Sequence, residues 1–179
     1  MMNDKPSEKI DSSKAKKEFD TSVELIRASY RFFCSRLPQS KQFTPGRPLR
    51  IGDFEFASKR QAHAMLVELG WAFFMRLDAA FDAFISRLKL DKKKAMEILH
   101  FDSGFNENEK KGFNEARDLR NILQHGDGDA DLLSRPPKYV NHEPGNEPQL
   151  DPEHIEQFIV LFEKAANVLG KEKDGECLH

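Results

Sequence analysis

The sequence predicts an all-α protein, a bundle of four or five helices behind a disordered N-terminal tail, and three observations predict it. Apolar residues recur at steps of three or four along most of the chain. One long aromatic-rich segment carries a stripe too wide to leave in water, and only one short stretch alternates in the manner of a strand. At 179 residues, with 39% apolar and 32% charged, the chain can bury one core, so a single domain is expected.

Residues 1–16 are mostly Lys, Ser, Asp and Glu, with little to bury, and read as a disordered lead to a helical domain over residues 17–170. Structure is expected from about Phe19, where Val23, Leu25, Ile26, Tyr30, Phe33 and Leu37 mark a helix that Pro38 closes. "PQSKQFTPGRP" holds three prolines and is a loop; "LRIGDFEFA" alternates around a glycine, as one or two short strands or an extended edge would. From Ser58, a plausible N-cap, to Leu90 runs the central core helix, its stripe including Leu69, Phe73, Phe74, Leu77, Phe81 and Phe84, with Met65 and Trp71 at the edges. A short helix over 92–99 follows, then one over about 107–125 that Gly126 would end in a left-handed cap. A loop with four prolines leads to a last helix over about 152–169, with Asp151 as N-cap and a fifth proline, Pro152, in the first position. Residues 171–179 are a polar tail.

Several function classes are excluded or weakened at once. There is no run of about 18 apolar residues and no apolar centre of a secretion signal, so a cytoplasmic protein without a membrane partner is expected. Cys34 and Cys177 are too few and too far apart for a disulfide framework or a cysteine metal cluster. The six histidines show no metal-ligand spacing, so no metal and no cofactor is expected. "DGDADLLS" resembles the start of a calcium loop, but Leu132 and Lys138 stand where glycine and glutamate are needed. No glycine-rich phosphate loop or nucleophile elbow occurs. A net charge of −2 gives no global pull on nucleic acid, so such a partner needs a local basic site; Lys110 and Lys111 are diluted by Glu107, Glu109 and Glu115.

The end of the fourth helix, "RNILQH", stands apart. At about 100° per residue, with Ala116 at zero, Leu119, Ile122 and Leu123 fall at about 300°, 240° and 340°, and Phe113 extends the stripe to about 60°. Asn121, Asn114, His125 and Asp118 fall at about 140°, 160°, 180° and 200°, facing away, with Arg117 at about 100°. Arg120, at about 40°, borders the stripe and must lay its stem along it. The residues alone leave two readings: a solvated helix end whose cations suit the dipole, or a site completed from outside this helix.

Arg120, Asn121 and His125 make the pattern R-N-x-x-x-H at the end of a penultimate helix, between a long aromatic helix and a closing amphipathic one. In motif and arrangement, over roughly residues 17–170, the chain resembles the HEPN superfamily. The N-terminal tail and "RIGDFEFA" lie outside the resemblance. It implies a metal-independent endoribonuclease, often a toxin or phage-defence effector, working as a homodimer on RNA, with room for an antitoxin or another neighbouring-gene partner. It implies Arg120, Asn121 and His125 as catalytic residues, with Arg117 and Asn114 beside them as RNA contacts. The residue chemistry suits this: histidine can move a proton at neutral pH, and arginine presents a permanently charged fork to a phosphate. Two alternatives stand beside it: a non-catalytic HEPN-like module for dimerisation, RNA or partner binding, and a helical interaction protein in which the motif is coincidence.

Overall fold

The computed structural model describes residues 11–102, 104–125, 150 and 152–173. The architecture is all-α, as the periodicity predicts: α1 (Ser12–Arg36), α2 (Lys59–Arg87), α3 (Lys92–Phe101), α4 (Glu107–His125) and α5 (Pro152–Lys173), with one small hairpin of β1 (Leu49–Ile51) and β2 (Phe54–Phe56). The long helices α1, α2 and α5 pack pairwise, and α3 and α4 both lean on α2 and α5.

The starts of α1 to α4 each have a local cause among the described residues. Asp11 accepts from the Lys14 N–H at 2.8 Å, so α1 begins at Ser12, inside the stretch expected to be a disordered lead. The polar residues 12–17 extend the helix because the cap satisfies its free N–H and because Ala15 and Ser12 are buried. Ser58 caps α2, accepting from the Gln61 N–H at 3.2 Å, and Asp91 caps α3, accepting from the Lys94 N–H at 2.7 Å. At α4, Asn106 Oδ1 accepts from the N–H groups of Asn108 and Glu109 at 2.9 and 3.0 Å, while Glu109 Oε2 accepts from the Asn106 N–H at 2.8 Å. This is a reciprocal capping box. The expected caps at Gly126 and Asp151 lie outside the described residues. The last helix continues to Lys173, past the expected stop at 169 and into the segment expected to be a polar tail.

At its C-terminus α2 ends without glycine. Lys89 takes a φ of +52°, the Leu90 N–H donates to the Ile85 carbonyl at 3.1 Å, and the Lys89 N–H donates to Ser86 at 3.0 Å. These two bonds form a Schellman motif. In the hairpin, Leu49 pairs with Phe56 and Ile51 with Phe54, and Gly52 supplies the positive φ, +59°, at the first turn position. Phe56 is buried and ties the hairpin to α2.

The core is aromatic. Phe81 sits at its centre, with ring centroids 5.9 Å from Phe19 of α1, 6.0 Å from Phe113 of α4 and 4.8 Å from Phe162 of α5. Such edge and tilted pairs each add about 0.5–1.5 kcal/mol beyond their buried area. In α1 the buried stripe is Ala15, Phe19, Val23, Ile26 and Tyr30; Leu25 and Phe33, expected on it, are exposed. Leu25 stands about 100° from Ile26, beyond the reach of α2 and α5. Ionic ties lock α1 to α5: Arg27 donates to Glu156 at 2.8 Å and, through both terminal nitrogens, to Glu163 at 3.1 and 2.9 Å. The Glu163 hydrogen bond leads in holding the Arg27 guanidinium above its ordinary value. Gly70, inside α2, meets Leu150 backbone to backbone: a Cβ there would stand 2.3 Å from the Leu150 carbonyl oxygen. That contact positions the chain just before α5.

Candidate functional site

Helix α4 presents its apolar residues as the angles require: Phe113, Ala116, Leu119 and Ile122 are buried and Leu123 is half-buried. Asn121 is exposed. The backbone of His125 forms the last helical residue, and its side chain lies outside the described residues.

Arg120 does lay its stem along the stripe. Its side chain is 19% exposed, and its Nη1 lies 3.9 Å from Oδ2 of Asp78 on α2, whose side chain is 12% exposed. Its Nη2 donates to Asn121 Oδ1 at 3.3 Å, and its buried Nε has no hydrogen-bond partner. The guanidinium thus spans from the interior, beside Asp78, to the exposed side chain of Asn121. Burial, helped by nearby Asp82, pushes the Asp78 carboxyl above its ordinary value, and the charges of Lys92 and Arg120 draw it back only in part.

Both residues belong to a cavity of about 700 Å3 between α2, α3 and α4. Its walls are largely apolar, formed by Phe81, Ile85, Met96, Phe105, Phe113 and Phe162. Lys92, Lys93, Lys110, Arg117 and Arg120 line it as well, against the acidic Asp78, Asp82 and Glu97, so cations outnumber anions. Asp82 is ion-paired with Lys92. Phe101, at the end of α3, also lines the cavity although 83% exposed.

Arg117 and Asn114, expected as outward-facing RNA contacts, line this cavity too. Asn114 is half-buried rather than turned fully away, and lies in the cavity lining. Arg117 is exposed and pairs with Asp118 at 3.2 Å. The structure therefore brings together Arg120, Arg117 and Asn114, and joins Asn121 to them through Arg120.

Asp78 was missed by sequence reasoning, though a signal existed. It stands four residues after Phe74 and three before Phe81, a carboxylate on an apolar helical stripe. Glu115, counted in the sequence only as diluting the charge of Lys110 and Lys111, is buried between Leu119 and Ile122 on the α4 stripe. Among the described residues no group of three histidine, cysteine or carboxylate side chains could hold a metal ion, and no helix is long and apolar enough to cross a membrane. Comparison of the chain with family models, with curated proteins and with solved structures finds no match.

Proposed function

We propose that the protein is a metal-independent endoribonuclease of the HEPN type, working as a homodimer, with Arg120, Asn121 and His125 as its catalytic residues. The observation that carries this reading is the shared lining of one cation-rich cavity by Arg120, Arg117 and Asn114, next to the exposed Asn121 of the same motif. A phosphate at that edge would meet positive charge and hydrogen-bond donors together.

Cleavage follows from attack of the ribose 2′-oxygen on the adjacent phosphorus. One histidine takes the 2′ proton, the P–O5′ bond breaks, and a second group returns a proton to the leaving 5′-oxygen. The products are a 2′,3′-cyclic phosphate and a 5′-hydroxyl. Base and acid act in the same step while each chain brings one His125, which is the physical reason for two copies of α4 to meet. Arg120 stabilises the charge that grows on the phosphorane-like state, and Asn121, accepting from Arg120, orients its outer nitrogen. A toxin or phage-defence effector restrained by a neighbouring-gene partner is the setting that suits such an activity.

Purified protein with RNA in excess chelator tests this. Cutting should proceed, should leave cyclic phosphate ends, and should stop at a site carrying a single 2′-deoxy nucleotide. His125→Ala should lower the rate by about 10²- to 10⁴-fold. Dependence on magnesium with 3′-hydroxyl ends would overturn the mechanism. Absence of any cleavage alongside a bound partner would favour the non-catalytic module, and the neighbouring charge of Asp78 against Arg120 is the observation on its side.

A further inference from the structure

The cavity between α2, α3 and α4 holds more than phosphodiester cleavage requires. At about 700 Å3 it lies within the size range of small-molecule sites and has room for a nucleoside. The rings of Phe81, Phe105, Phe113 and Phe162 give it flat apolar walls, the kind of surface on which bases stack. Two polar groups with unused hydrogen-bonding capacity stand among those walls. Asp78, nearly buried, accepts no hydrogen bond from any described residue, and the buried Nε of Arg120 donates none. An aliphatic occupant would leave Asp78 without a donor at a cost, whereas a planar heterocycle with donors along one edge would satisfy it.

We infer that this cavity is a nucleobase subsite that takes a guanine flanking the scissile phosphate. The inference rests on the ribonuclease reading for the phosphate, and on the cavity alone for the base. Guanine places two donors side by side, N1–H and the 2-amino group, and these match the two oxygens of one carboxylate. Its O6, next along the same edge, is an acceptor for the Arg120 side of the pair. Adenine and cytosine offer the carboxylate one exocyclic amino donor beside a ring-nitrogen acceptor, and uracil offers a single N3–H between two carbonyl acceptors, so none of them matches the pair of oxygens. Arg120 can serve both duties: it lines the cavity beside Asp78, while its Nη2 reaches the exposed Asn121. Lys93 and Arg117 supply positive charge for the phosphates on either side of the base.

Inosine, which is guanosine without its 2-amino group, provides the probe. Oligoribonucleotides identical except for guanosine, inosine, adenosine or uridine next to the cut are digested by wild type and by the near-isosteric Asp78→Asn. Wild type should prefer guanosine over inosine by about tenfold or more, and Asp78→Asn should bring that ratio close to one. Titration of the same two proteins with GMP and IMP reads the pocket without cleavage, and wild type should bind GMP about tenfold more tightly. RNA cutting with equal use of guanosine and inosine overturns the subsite and leaves the ribonuclease reading intact. A GMP preference without RNA cutting keeps the guanine pocket and overturns the ribonuclease reading. Equal binding of GMP and IMP, or none, overturns the pocket outright.

Discussion

A lysine holds the left-handed position that ends α2, where glycine would stand without strain. The backbone of Lys89, at a φ of +52°, closes two hydrogen bonds that finish the helix. A left-handed conformation costs a non-glycine residue roughly 1–2 kcal/mol, and glycine gives back about half in the unfolded chain. Lys89→Gly should therefore stabilise the protein by about 0.5–1 kcal/mol, seen as a higher midpoint in thermal unfolding with no loss of helical signal. This strain was invisible in the sequence, because lysine is an ordinary helix-end residue and nothing local demands a positive φ. Asp78 was hidden for a related reason. A carboxylate on an apolar stripe signals something, but that Arg120 faces it depends on how α2 and α4 cross. Arg120 itself was readable, since its angle at the stripe's border required a buried stem and a head group reaching elsewhere.

Where helices begin depends on the short-range hydrogen bonds that cap them, which sequence spacing reports well at α2 and α4 and less well at α1. The bounds of α4, Glu107 to His125, match the expected ones because an amphipathic run and an N-cap agree there. At α1 the polar stretch hid a helix whose support comes from Asp11 and from burial of Ala15 against the core. Gly70 was equally silent, since a glycine inside a helix declares itself only once Leu150 is seen to approach it. Between α4 and α5, Lys164 Nζ donates to both Glu109 oxygens at 2.6 and 2.8 Å, while the same carboxylate completes the capping box. Burial works to raise the Glu109 carboxyl, but the hydrogen bonds from Lys164 and the Asn106 N–H, with the charge of Lys164, hold it below its ordinary value. A lowered folded pKa gives stability that is present above the unfolded value of about 4.3 and is lost as pH falls through the folded value. Glu109→Gln should thus be less stable than wild type at pH 7, with the gap closing below about pH 4 in urea unfolding.

At the level of the complete molecule, three long helices provide a frame on which α3 and α4 enclose the cavity. The all-α class was readable because the hydrophobic period persisted across the chain; the cavity was not, because it depends on the angle at which two shorter helices lean on the frame. The proposed chemistry requires a second histidine, so the protein should behave as a dimer of α4 faces, with light scattering at micromolar concentration giving about twice the mass of the 20.6 kDa chain. A stable monomer that still cuts RNA would break the two-histidine argument. Phe81 carries a consequence of its own. The ring that touches α1, α4 and α5 is also part of the cavity wall, so the interior that keeps the chain folded and the space proposed to take a nucleobase share one side chain. Occupancy and folding are then linked by mass action. A molecule held only by the folded form adds about 2.7 kcal/mol at a hundred times its dissociation constant, so a melting curve becomes a ligand assay that needs no turnover. A panel of nucleotides ranked by the temperature at which this aromatic centre comes apart would be ranked by affinity for the cavity.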